Sequence, residues 1–150
     1  MSSIGGGLEN NTTETYSTVS GGQGNTASGG NSSVSGGLSN KVSGASASIT
    51  GGSLNIASGP KSSVTGGFFN DAAGQSSSVT GAIDNTAPGA TSSVSGGAIN
   101  AASGTNSSVS GGASRSADRS NDWAAGSLNE ESWFQNGSSK VTIPLKDSHG

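Results

Sequence analysis

One feature governs what this chain can fold into: it repeats every fifteen residues, in unbroken phase, along most of its length. An aliphatic residue stands at Ile4, Val19, Val34, Ile49, Val64, Val79, Val94 and Val109, with Ala124 in the ninth place. Asn follows in each unit, at Asn10, Asn25, Asn40, Asn55, Asn70, Asn85 and Asn100, and then stops. A small apolar residue comes two places later, at Ala27, Val42, Ala57, Ala72, Ala87, Ala102 and Ala117. Gly forms two further columns, one from Gly6 to Gly126 and one from Gly29 to Gly104. The consensus is S-S-V-S/T-G-G-x-x-N-x-A-S-G-x-x. Such a period is read before any motif, because it decides the architecture.

Helical hairpin repeats need roughly 30 residues or more, so this unit is too short for one. It suits a single turn of a parallel β-solenoid. Each unit holds two strand-like runs, S-S-V-S and N-x-A-S, and each run is closed by Gly, where the chain turns. Stacked coils repeat at about 4.8 Å, so nine coils make a rod of roughly 43 Å. The expected fold is therefore all-β: a parallel β-solenoid or β-roll of about nine coils over residues 1–126. Residues 127–150 are expected to form a C-terminal cap or tail.

Alternation along a strand assigns the faces. The column Val19, Val34, Ile49, Val64, Val79, Val94 and Val109 is the expected core, and also the place where neighbouring chains would meet. Lys41 and Asp71 share the place next to Asn, which turns that place to water and the Asn and Ala columns inward. Asn25, Asn40, Asn55, Asn70, Asn85 and Asn100 are then expected to form a ladder, amide to amide along the axis. A second apolar column comprises Leu8, Leu38, Leu54, Phe68 with Phe69, Ile83 and Ile99.

Composition enters through the thinness of this core. Ser (34), Thr (12) and Gly (27) make almost half of the 150 residues. Leu, Ile, Val and Phe together are 22, below the roughly 20% under which a compact core is doubtful. Each coil orders fifteen residues at about 1–2 kcal/mol apiece. Full burial of one Val or Leu returns about 1.5–3 kcal/mol. Self-association is thus expected, as in three rods sharing a seam of Val, Leu and Ile, with a well-hydrogen-bonded monomer as the alternative.

The pattern changes near residue 113. Arg115 stands in the Asn column, Arg119 in the Gly column and Trp123 in the second Ser column, with Trp133 and Phe134 beyond. Solenoids cover their last coil to prevent end-to-end stacking. Trp123, Trp133 and Phe134 are accordingly assigned to a cap, with an aromatic ligand-binding tip as the functional alternative.

Several chemistries find no residues here. There is no Cys, and the one His, His149, is next to the end, so no Ser-His-Asp set can be built in the repeats. The acidic residues do not recur at a fixed place, unlike those of calcium-binding β-rolls. No catalytic, metal or cofactor site is expected, and the chain is read as not an enzyme. No apolar run approaches the ~20 residues of a membrane span. Met1-Ser2-Ser3-Ile4 does not read as a secretory leader. A net charge of −3 without a basic cluster argues against nucleic-acid partners.

The tandem motif V-x-G-G-x-x-N-x-A-x-G, with S-S in front, resembles the head repeats of trimeric autotransporter adhesins, the YadA-like head, over about residues 3–126. The resemblance implies a left-handed parallel β-roll in each chain, three rolls side by side as a homotrimer, and an extracellular place at the tip of a surface fibre, bound to host matrix or cells. That family's strand usually alternates aliphatics (S-V-A-I-G). Here Ser33-Val34-Ser35-Gly36-Gly37 lacks the second one, which thins the implied seam.

Three readings follow. The first is a non-enzymatic adhesion or surface-fibre module. The second is an ice-binding solenoid whose outward hydroxyl face comprises Ser33, Ser35, Ser48, Thr50, Ser63, Thr65, Ser78, Thr80, Ser93 and Ser95. The third is a structural segment of a phage tail fibre.

Overall fold

The structure is a computed structural model that describes residues 1–126. The expected cap over 127–150, with Trp133 and Phe134, lies outside the described residues, as does His149.

The chain is an all-β parallel solenoid. Ser3–Ile4, Thr18–Val19, Ser33–Val34, Ser48–Ile49 and their successors down to Trp123–Ala124 form one nine-stranded sheet. Its strands pair in parallel with a shift of one repeat, Val34 beside Val19 and Ile49. Asn11–Thr12, Thr26–Ala27, Lys41–Val42, Ile56–Ala57 and Asp71–Ala72 form a second sheet. Thr86 continues it by bridging Asp71 to Ala101, in the strand Ala101–Ala102. A third ladder, of single-residue bridges, runs through Leu8, Gln23, Leu38, Ser53 and Phe68 to Ala113. The sequence reading found two strand-like runs per coil; the structure adds this third.

Strands are only two residues long because every coil turns sharply between them. Ser46 (φ 57) turns the chain into the first sheet, and Gly37 (φ 93) with Ser39 (φ 52) turn it on either side of the single bridge residue Leu38. At Gly37 a side chain would also run into the carbonyl of Gly52 and the Asn40 amide. The turns hold because each coil is hydrogen-bonded to both neighbours. Ser33 and Ser35 N–H donate forward to the carbonyls of Ala47 and Ile49, both at 3.0 Å, and Ser46 N–H donates back to Gly30 at 2.8 Å.

Inside, Val19, Val34, Ile49, Val64, Val79, Val94 and Val109 face the Ala27, Val42 and Ala57 column and are at most 1% exposed. Their own coils cover them completely. The expectation that these side chains also meet across a seam between chains is corrected on this ground: no surface of theirs is left to share. An inner serine column, including Ser32, Ser62, Ser77 and Ser107, is buried beside them, and Ala47 occupies the same slot.

Asn25, Asn40, Asn55, Asn70, Asn85 and Asn100 are also fully buried. Asn40 Oδ1 accepts the backbone N–H of Asn55 at 3.0 Å. Its Nδ2 donates to Gly36 and Gly52 carbonyls, each at 3.0 Å. The column is thus stitched mainly to backbone, not amide to amide as the sequence suggested. Amide-to-amide contact occurs only from Asn70 to Asn55 and from Asn85 to Asn70, at 3.2 Å. The tight turns aim peptide groups inward, and peptide groups are the better-placed partners. The last rung is the Arg115 N–H, 2.9 Å from Asn100 Oδ1.

Close approach of coils sets the second glycine column. A Cβ on Gly59 would collide with the carbonyl of Gly74, which is backbone and cannot move aside.

Candidate interaction faces

Outward side chains form three stripes along the rod. The first lies on the nine-stranded sheet and carries the hydroxyl residues singled out in the sequence. Ser33, Ser48, Ser63, Ser78 and Ser93 are half-buried, while Ser35, Thr50, Thr65, Thr80 and Ser95 are exposed. Successive strands repeat these two columns at about 4.8 Å along the rod, and strand geometry separates the columns by roughly 6.7 Å. Trp123 lies at the end of this stripe, in the strand Trp123–Ala124. Its indole N–H donates to Ser110 Oγ at 2.8 Å, and the ring is 60% exposed. It therefore covers the outer surface of the preceding coil and not the end of the core, because the inward residue of that strand is Ala124.

The second stripe, on the other sheet, is chemically mixed: Lys41, Ile56, Asp71, Thr86 and Ala101 share one column. Lys41 is exposed as expected, but Asp71 is half-buried. Asp71 Oδ1 has no hydrogen-bond partner, and burial raises its carboxyl above the ordinary range.

The third stripe carries the second apolar column. The second apolar column does not join the core. Leu38, Leu54, Phe68, Phe69, Ile83 and Ile99 are 37–60% exposed and form a ridge along one edge. The two Phe rings meet edge to face, centroids 4.7 Å apart. With Ile83 and Asp84 they line a shallow, open depression. Two signals could have found this: adjacent Phe68 and Phe69 share no inward face, and Glu9 and Asp84 stand in the same column as Leu54 and Ile99.

Among the described residues no group of three or more His, Cys, Asp or Glu side chains is placed to hold a metal ion. No described helix is long and apolar enough to cross a membrane. No family profile matches this chain, and no curated protein matches it.

Proposed function

We propose that this chain is a non-enzymatic extracellular adhesion or surface-fibre module. On this reading its outer columns make the same weak contact coil after coil with a matrix or cell-surface ligand. The observation that carries the reading is the in-register parallel stacking of nine coils, which presents each outward residue type at a constant rise. The buried Asn side chains bond to backbone, and the outward surface repeats from coil to coil. Such a surface suits multivalent contact, in which tethering many weak sites raises the overall strength by about 100-fold or more.

The test is binding to immobilised matrix proteins, with the chain free in solution and then arrayed on beads. Weak binding in solution that becomes durable on beads is expected. Absence of binding in both formats overturns the reading.

One observation favours a second reading, ice binding: the two outward hydroxyl columns run side by side along the same sheet. A thermal-hysteresis assay separates the two. Hysteresis that disappears in Thr65→Tyr, at an exposed site where the fold tolerates bulk, would replace adhesion with ice binding. Absence of hysteresis removes the second reading.

A further inference from the structure

The exposed apolar ridge has an internal order that its exposure alone does not explain. It occupies two adjacent columns. The leading column reads Leu38, Ser53, Phe68, Ile83, Ala98, and the trailing column reads Ser39, Leu54, Phe69, Asp84, Ile99. In each coil one of the two is a large apolar residue and the other is smaller. The coil of Phe68 and Phe69 is the exception, with two large residues. The neighbouring coils beyond carry Gln23 with Gly24 on one side and Ala113 with Ser114 on the other, so the ridge is bounded at both ends.

This pattern is self-complementary under reversal. When a second copy is laid face to face with its rod direction reversed, about a two-fold axis through the phenylalanines, each column meets its own kind in the opposite coil order. Leu38 then faces Ala98 of the other copy, and Ser39 faces Ile99. Likewise Ser53 faces Ile83, and Leu54 faces Asp84. Large side chains meet small ones on both flanks, and the Phe pairs meet at the centre. A two-fold interface requires this kind of self-matching surface.

Area points the same way. At their observed exposures the six large side chains leave roughly 600 Å² of apolar surface in water, at the upper limit of what monomers leave exposed. Two copies together would bury up to about 1,200 Å² from these side chains, the lower bound for a specific pair. Aromatic residues at the centre of a patch are where binding energy concentrates. Direction is settled by charge. Asp84 is the only ionised group among these ten positions. Parallel packing would set the two Asp84 carboxylates at one level, whereas reversal separates them by two coils, about 10 Å.

We propose that this ridge is a homotypic interface at which two copies of the chain pair antiparallel, centred on Phe68 and Phe69. The inference stands apart from the adhesion reading and does not depend on it.

The test uses Phe69→Asn. Phe69 has φ 58, a conformation that Asn adopts more readily than Phe, so this substitution removes the contact without harming the coil. Sedimentation equilibrium of the parent should give a mass of two chains at micromolar concentration. In Phe69→Asn the dissociation constant should rise by at least about 30-fold, while the monomer's melting temperature is unchanged or higher. Orientation is read with single cysteines, since the chain has none. Chains carrying Ser39→Cys and chains carrying Ile99→Cys, mixed, should be joined to each other by a short bis-maleimide, and neither should be joined to its own kind. The proposal is overturned by a mass of one or three chains, by association undiminished in Phe69→Asn, or by a preference for same-kind links.

Discussion

Asn55→Ala should be among the most damaging truncations of a polar side chain in this fold. Asn55 Nδ2 donates to the carbonyls of Gly51 at 3.0 Å and Gly67 at 3.1 Å, and its Oδ1 accepts the N–H of Asn70 at 3.0 Å. Ala leaves the Gly51 carbonyl and the Asn70 N–H without a partner beside a side chain that is 0% exposed, while the Gly67 carbonyl keeps the Ser53 N–H at 2.9 Å. Each orphaned buried group costs about 1–3 kcal/mol. Two such groups make about 2–6 kcal/mol in total. For a chain of this size that lowers the melting midpoint by roughly 5–20 °C. The control is Asn10→Ala, in the first coil. Asn10 makes the same three bonds, to Gly6 at 2.8 Å, Gly22 at 2.9 Å and Asn25 N–H at 3.0 Å. It is only half-buried, so water replaces part of what is lost, and about 1–2 kcal/mol is expected. Asn55→Asp keeps the acceptor but turns an anionic oxygen toward two carbonyls, and should be worse than Ala at neutral pH. Far-UV circular dichroism through a thermal ramp reads all three. A stack of repeats melts by nearest-neighbour units, so the Asn55 variants should also broaden or split the transition at mid-rod. Equal midpoint losses for Asn10→Ala and Asn55→Ala, or a loss under about 2 °C for Asn55→Ala, would refute the claim that the buried ladder holds the coils together.

Three other outcomes follow from the same structure. Ile99→Asn should raise the stability of the single, unpaired chain by about 1 kcal/mol, because Ile99 is held at φ 57, a left-handed conformation costly for a β-branched residue; Gly59→Ala should instead unfold its region, and denaturant titration at concentrations too low for pairing compares the two. Ser62→Ala should change stability by no more than about 1 kcal/mol, since the Ser62 hydroxyl has no partner and Ala47 fills the equivalent slot; a larger loss in the same titration would mean that the hydroxyl is bonded. Asp71→Thr should stabilise the chain at neutral pH. Burial raises the folded carboxyl's pKa, so the folded state holds that proton more tightly, and the ionised form costs stability above the raised value. As pH falls through that value and below the ordinary carboxylate range, the advantage of Thr over Asp should shrink. Melting curves at neutral and acid pH should show that convergence.

Much of the fold was legible because the buried places of the coil are chemically strict. Val34, Asn40, Val42 and Gly44 each belong to a column with little variety, and alternation, with Lys41 and Asp71 marking the wet side of the second strand, placed the first three inward. Gly44 was legible as a turn, but its reason is the Gly59 carbonyl packed against it, which a single chain of letters does not display. The bonds of Asn40 were misread for a related cause: its partners are peptide groups, which every residue carries and no sequence pattern marks. Leu38 and Phe68 were legible as an apolar column but not as a ridge. Each sits between a left-handed glycine, Gly37 or Gly67, and the left-handed residue that follows, and at this turn its side chain points outward. Of the candidate faces, the hydroxyl columns could be placed from strand parity. The ridge could not, because its conformation depends on φ values such as those of Leu54 (56) and Phe69 (58), which ordinary propensities do not suggest.

The glycine collisions have a consequence for length. The distance from one coil to the next is set where backbone meets backbone, at Gly44, Gly59 and Gly74, and no outward side chain takes part in it. Each coil is therefore an interchangeable cassette in a ruler of fixed gradation. Adding or removing one whole repeat should lengthen or shorten the rod by one step of about 4.8 Å, while every remaining stripe stays in line. The lettering on the ruler can be rewritten without altering its scale.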